Sequence, residues 1–364
     1  MKLSNPIPVI RKVIFATPKI SLVTGLFVLA SCQSTPFAAA DLTAAQWQQQ
    51  LQISSVAEAA DVQLQWGSKV TTEWLDWFDA ERQRAVPALL FVPQQPTAEK
   101  IPLIVFSHGL GGARDRYAYL GQYWASKGVA SLHLQHVGSD RQVWQGSRLT
   151  LAFRLKKAAG DEEALNRVAD VKFALDQFLK TPFADVIDNE NLMIAGHSYG
   201  ANTAMLLAGA QVERDKRKIH LQDQRFSAAI LISAPPFYSD ESLADILANL
   251  TIPTLHITTT KDEIKVPGFY SAPEDRVALF KATGSTYKVL AVFYGGSHNI
   301  FTGRRQRPEL AVQDQVIKAA TQTLSLAFIK QSFSGNEQAI RNWQLQHQTL
   351  LADYQMVSSD PHYQ

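Results

Sequence analysis

The chain has 364 residues, 46% of them hydrophobic, and a formal charge of +2. That length and apolar content can bury one large domain or at most two. The near-neutral balance excludes the basic footprint of a nucleic-acid-binding protein, and no internal repeat marks a solenoid or propeller.

The first 40 residues contain Lys2, Arg11, Lys12 and Lys19 and no Asp or Glu. They lead into the apolar run "ISLVTGLFVLASC", which is too short to span a bilayer comfortably. Charge followed by an apolar run is the layout of an export signal. Its end, "LASC", resembles a bacterial lipobox, and Cys32 is the only cysteine in the chain. The resemblance implies a lipoprotein signal over residues 1–31, lipid on Cys32 and a place in the bacterial cell envelope. Gln33 after the cysteine favours the outer membrane in that family. The alternatives are a plain secretory signal cut near "AAA" around residue 40, giving a periplasmic or secreted protein, or an uncleaved anchor. Residues 32–69 are expected to form a tether and N-terminal extension, with a short polar helix around "AAQWQQQLQ".

From Val70 the pattern changes. "VTTEWLDWFD" and "AVPALLFVP" read as strands about a turn. "IPLIVFSHGLGG" is a continuous apolar run ending in glycines, as suits a strand buried on both faces. "RYAYLGQYWASKG" has helical spacing, and "VASLHLQH" is the next strand. Residues 141–160 fit neither period. "NRVADVKFALDQFLK" is a helix with Val168, Val171, Leu175 and Phe178 on one stripe. Strand "NLMIAG" and helix "SYGANTAMLLAGAQ" follow, then a charged surface stretch. "FSAAILIS", "TLHITTT" and "YKVLAVFYGG" are strands, "EDRVALFKATG" is a helix, and a long helix covers 308–330. One more helix is expected in the tail, over "EQAIRNWQLQHQTLLADYQ". Alternation of strands and helices predicts a mostly parallel sheet covered on both faces. Its active edge is where the strands run out.

Four stretches end strands there: "SHGLGG", "GHSYGA", "TTTKDEI" and "YGGSHNI". Ser198 sits in G-x-S-x-G between a strand and a helix. That pattern makes a sharp turn that exposes the hydroxyl near a helix N-terminus, and the glycines relieve its crowding. A serine needs a base. Of nine histidines, His298 alone follows the last strand in a glycine loop downstream of Ser198. A carboxylate must orient that base. Asp262 ends the strand "TLHITTT", with Glu263, Asp240 and Asp245 as rivals. Backbone amides of Tyr199 and Leu110 are the expected oxyanion donors. His108 is expected to brace its loop, and the side chain of His197 to point away from the serine. Trp144 with the apolar residues of "LTLAF", and Phe237 and Tyr238 in "PPFY", are candidates to line a substrate pocket, although plain packing would also explain them. No metal-ligand spacing and no phosphate loop occurs, so no cofactor is expected.

These residues resemble the α/β-hydrolases over residues 70–330. "FSHGLGGARDRY", "LQHVGSDRQVW" and "GHSYGANT" resemble more narrowly the dienelactone-hydrolase-like bacterial proteins related to platelet-activating factor acetylhydrolases. The resemblance implies a serine esterase with Ser198, His298 and the two amides in the family's roles. True dienelactone hydrolases carry cysteine at the position of Ser198. The acetylhydrolases place their acid after the sixth strand, which ends here in "LISAPP"; the acid is therefore expected one strand later, at Asp262. The expected function is hydrolysis of carboxylic esters, with a small-molecule or lipid-like ester as substrate. A lipase, phospholipase or polyester hydrolase is the first alternative, although no long lid with an amphipathic stripe is visible. A non-catalytic envelope lipoprotein on a degenerate fold is the second. Residues 331–364 are expected to be a helical extension.

Overall fold

The computed structural model describes residues 41–62, 70–94, 99–266, 268–304, 307–335 and 337–359. Cys32, His362 and the whole export-signal reading lie outside the described residues. Helix α1 (Ala44–Val62) precedes a long hairpin, β1 (Val70–Asp79) and β2 (Arg84–Pro93). Then come β3 (Ile101–Ser107), α2 (Ala118–Ser126), β4 (Ala130–Leu134), α3 (Leu151–Ala158) and α4 (Asp161–Phe178). Strand β5 (Ile187–His197) runs directly into α5 (Tyr199–Ala208). A small hairpin, β6 (Gln211–Arg214) and β7 (Arg217–His220), leads to β8 (Phe226–Ile232), α6 (Leu243–Leu247) and β9 (Thr254–Lys261). A second small hairpin, β10 (Ile264–Val266) and β11 (Phe269–Ser271), precedes α7 (Pro273–Ala282) and β12 (Tyr287–Ser297). The chain ends in α8 (Ala311–Ser334), α9 (Glu337–His347) and β13 (Leu351–Ser358).

One nine-stranded sheet has the order β1-β2-β4-β3-β5-β8-β9-β12-β13. Neighbours from β4 to β12 are parallel, while β1, β2 and β13 run antiparallel to their partners. The inner strands read as unbroken apolar runs because both of their faces are covered. Successive residues alternate between two cores. Leu103, Val105 and Ile194 pack with Val168, Val171 and Leu175 of α4 and with α5 on one side. Ile104, Phe106 and Met193 pack with Trp124 of α2 and Ile317 of α8 on the other. The strand order reverses at β3 and β5, so the loops leaving these two strands face one crevice at their carboxyl ends.

The two ends of the folded chain differ from expectation. Within the stretch expected as tether and extension, Trp47 of α1 is buried in the second core, and the Gln50 amide donates to the Thr349 hydroxyl at 2.6 Å. The helical extension expected over 331–364 is helical only to His347. Residues 351–358 form an edge strand antiparallel to β12, with Tyr354 and Met356 packed on the second core. An open strand edge with an apolar face next to it outweighed the weak helical pattern of that segment. Among the described residues no helix is long and apolar enough to cross a membrane.

Candidate active site

The turn between β5 and α5 has no intervening loop. Ser198 takes a positive φ of 55° with ψ of −124°, and its N–H donates to the Ile232 carbonyl of β8 at 2.9 Å. A side chain on Gly200 would fall on the Ser107 carbonyl of β3, and one on Gly196 would fall on Gly200. The two glycines of the motif therefore let the turn sit against the end of β3, and the surrounding structure holds a non-glycine residue at a strained φ.

His298 follows β12 and opens a single 3-10 turn. Its Nε2 lies 2.8 Å from Ser198 Oγ and its Nδ1 lies 2.6 Å from Asp262 Oδ1. Asp262 comes just after β9 and has no exposed surface. Its second oxygen accepts from the Thr258 hydroxyl at 2.6 Å, and Arg276 of α7 donates to Oδ1 at 3.3 Å. Burial by itself raises the Asp262 carboxyl, but His298, Arg276 and Thr258 outweigh it and hold it well below the usual carboxylate range. A carboxylate that stays ionised and bonded to Nδ1–H leaves Nε2 free to accept the serine proton. The rival acids go elsewhere. Asp240 and Glu263 are exposed, Glu263 paired with Lys265, and Asp245 is bonded to Ser242 at the start of α6.

His197 does turn from the serine. Its Nε2–H donates to the His298 carbonyl at 3.0 Å, and its Nδ1 accepts from the Tyr117 hydroxyl at 2.8 Å. The same hydroxyl meets the Gly109 N–H at 3.4 Å. Burial first, and then the His298 charge, push the His197 imidazole down to about 3, so it stays neutral and its tautomer follows from its two partners. This string ties the backbone of the base to the glycine loop that starts at residue 107. His108 is likewise internal: its Nδ1–H donates to the Gly109 carbonyl at 2.7 Å, and its Nε2 accepts the His136 N–H at 3.1 Å. In that loop the Gly111 and Gly112 amides are taken by the carbonyls of Ser139 and Gly109.

Beneath the loop lies a second polar string. Ser107 Oγ is 2.9 Å from His136 Nε2, and His136 Nδ1 is 3.0 Å from Asp170. Arg84 and Arg82 bind the same Asp170. The fully buried Arg167 donates to the hydroxyls of Ser107, Ser139 and Thr203 and to the His108 carbonyl, and its guanidinium lies 4.5 Å from the centre of the Tyr199 ring.

Ser198, His298, Leu110 and Tyr199 all line a cavity of about 550 Å³. Its wall is largely apolar: Trp144, Leu155, Leu206, Phe237, Tyr238 and Phe269 contribute. The Trp144 indole N–H donates to the Gly111 carbonyl at 3.0 Å, and the Tyr238 and Phe269 rings meet edge to face at 5.5 Å. Thus Trp144, Phe237 and Tyr238 face one space, whereas the apolar residues of "LTLAF" do not line it: Leu149 and Phe153 are turned to solvent.

Sequence reading missed Arg276, Tyr117, Arg167 and the β10–β11 hairpin that carries Phe269. A signal existed for the arginines. Arg276 shares a helical stripe with Leu279 and Phe280, and Arg167 shares one with Val171 and Ala174. A cation on an apolar stripe has to meet a buried anion or carbonyl.

A family profile described as platelet-activating factor acetylhydrolase, isoform II, matches residues 80–144. Platelet-activating factor acetylhydrolase of Canis lupus familiaris is 26% identical over 235 residues, covering 54% of this chain and 49% of that one. The Cavia porcellus protein of the same name is 23% identical over 287 residues, covering 68% and 61%. The chain thus spans between about half and three fifths of the length of these curated relatives. Among solved structures, a ferulic acid esterase from Streptomyces cinnamoneus superposes with a TM-score of 0.52 at 19% identity, covering 73% of this chain and 91% of that one. The chain thus has the α/β-hydrolase fold, and its sequence is similar to those of platelet-activating factor acetylhydrolases.

Proposed function

We propose that the chain is a serine hydrolase that cleaves carboxylic esters through a covalent acyl-enzyme. One observation carries this reading. The unbroken string from Ser198 Oγ through His298 to buried Asp262 opens on an apolar cavity large enough for a small ester.

In this scheme Ser198 attacks the ester carbonyl while His298 Nε2 takes its proton. The imidazolium is stabilised by Asp262, which remains ionised. The tetrahedral oxyanion is held by the amides of Tyr199 and Leu110. The first is supported by its place at the start of α5, where helix N–H groups lack internal partners. The second is supported by the commitment of the neighbouring Gly109, Gly111 and Gly112 amides to other partners. His298 then protonates the leaving alkoxide, and the reverse sequence with water releases the acid. Trp144, Phe237 and Tyr238 are proposed to contact the acyl or leaving group. We further propose that Cys32 carries lipid that anchors the chain in a bacterial envelope, with the outer membrane favoured.

A fluorophosphonate probe tests the core of the proposal. The native protein should be labelled and the Ser198→Ala variant should not; equal labelling of both, or none of either, overturns the reading. For the anchor, Cys32→Ser should release the protein from membranes of the host, and unchanged retention in detergent-free fractions counts against lipidation.

A further inference from the structure

Residues 141–160 lend Trp144, Leu155 and Ala159 to the cavity wall and hold Arg141, Arg148, Arg154, Lys156 and Lys157 with no acidic residue among them. One side of α3 is committed inward. Leu155 and Ala158 are buried with Val143, and Leu110 and Val266 pack on the same cluster. At about 100° per residue, Phe153, Lys156 and Lys157 fall on the opposite side of the helix, and all three are exposed. Just before the helix, Leu149 is 96% exposed; Phe153 is 71% exposed. Arg154 is spent on the segment itself, donating to the carbonyls of Val143 and Ser147. The segment is therefore braced, and its large apolar groups are presented outward. Exposed Trp144 and Tyr238, which line the cavity, add to the same rim. Acids resume only at Asp161, Glu162 and Glu163, of which Asp161 is held by Arg214 and Glu163 by Arg84.

We propose that this outward face docks the mouth of the cavity onto an anionic lipid surface. Leu149 and Phe153 would enter the acyl boundary while Arg148, Lys157 and their neighbours meet lipid phosphates. The alternation of large apolar and cationic groups favours lipid over a soluble acidic polymer. Such a polymer would pair with the cations and leave Leu149 and Phe153 in water. The docking does not depend on the role of Ser198, since binding reads it without turnover.

The test uses the full chain with Cys32→Ser and Ala152→Cys, the new thiol bearing an environment-sensitive fluorophore. The apolar run at residues 20–31 can itself reach lipid, so the readout must be local to the face. With phosphatidylcholine vesicles containing phosphatidylglycerol, the label should shift to the blue and be quenched by lipid-borne spin labels. With phosphatidylcholine alone it should do neither. Arg148→Gln together with Lys157→Gln should weaken the response about 25-fold, about fivefold per charge removed, and Leu149→Ser with Phe153→Ser should abolish quenching. A label at Leu345→Cys, exposed on α9, should stay unquenched. Absence of quenching at position 152, equal quenching at 345, or equal response to both vesicles overturns the proposal. A shift produced by polyglutamate without lipid quenching assigns the face to an acidic polymer instead. Hydrolysis of a short, water-soluble nitrophenyl ester at the native rate shows that each variant is folded. Should no form of the chain, native included, turn over any ester while position 152 is still quenched by anionic vesicles, the hydrolase reading fails and the docking face stands.

Discussion

The molecule contains two serine–histidine–aspartate strings, and their distances are nearly interchangeable. Ser198–His298–Asp262 has links of 2.8 and 2.6 Å; Ser107–His136–Asp170 has links of 2.9 and 3.0 Å. Their surroundings separate them. Ser198 lies on a strained turn at the start of a helix and lines the cavity. Ser107 is inside β3 with no exposed surface, and its oxygen accepts a bond from Arg167 at 3.0 Å. His136 is buried, and burial followed by the Arg167 charge pushes it down to about 3, too low to hold a proton at neutral pH. A general base has to gain a proton during the reaction, and His136 is placed where gaining one is most unfavourable. Hydrogen-bond geometry therefore marks a triad only in company with access and with room for developing charge. The second string is a brace: it joins β3, the loop after β4 and α4 beneath the glycine loop that the first string needs.

The sharpest way to break this comparison is to delete each serine in turn. Ser198→Ala should lower ester turnover by about a millionfold with little change in stability. Ser107→Ala should keep turnover within about tenfold of native, and should lower stability by about 1–3 kcal/mol because His136 and Arg167 each lose a buried partner. Nitrophenyl ester rates and urea unfolding read both. The reverse pattern would exchange the roles of the two strings.

The aspartates give the next largest contrast. Asp262→Asn should cut turnover by about 10⁴-fold, as expected when a base loses the partner that sets its tautomer. Asp170→Asn should act on stability instead, by about 1–3 kcal/mol, because buried His136 and the partly exposed Arg84 and Arg82 lose a charged hydrogen-bond acceptor.

The response to acid sharpens the comparison further. Burial raises the Asp170 carboxyl, yet His136 and Arg84 outweigh it and hold it down to about 2. Its folded pKa is depressed, so its contribution is complete above about 4 and is lost as pH falls towards 2. His133, His136, His197 and His256 are pushed down to about 3, chiefly by burial. The unfolded chain protonates these imidazoles below about 6.5 while the folded one cannot, so they too remove stability as pH falls from about 6.5 to 3. Denaturant midpoints should decline below pH 6.5 and steepen below 4. A flat profile between pH 6.5 and 4 would show that these histidines are not held neutral.

The smallest expected effect concerns the link between the base and the glycine loop. Tyr117→Phe removes the hydroxyl shared by His197 and Gly109. We expect kcat to fall about tenfold with KM nearly unchanged, the pattern of an interaction realised in the transition state. A change in KM alone would confine Tyr117 to packing.

The contrast between the strings also shows what could be read in advance. Ser198 was legible because glycine at both flanking positions, a strand before and a helix after are local features. Asp262 and His298 were reached through their order in the chain and their place after strands. The second string was not legible: Ser107, His136 and Asp170 come from β3, a loop and the buried face of α4, and nothing local announces their meeting. The β10–β11 hairpin is too short to show a period, and residues 141–160 mix 3-10 turns with two turns of helix, which blurs any single repeat. β13 was read as helix because edge pairing with β12, some sixty residues earlier, decided its form.

By itself, then, the sequence determined the parallel sheet, through apolar runs alternating with helical stripes. It also determined the turn at Ser198, through the spacing of its glycines, and the order of serine, acid and base. Tertiary structure alone decided the hydrogen bonds that join these groups, which carboxylates meet arginines, and which face of α3 is left to solvent. The physical reason is range. Periodicity and turn chemistry act over a few residues, whereas Ser198 and His298 stand 100 positions apart. Their protonation depends on the burial and charge that only the packed chain creates.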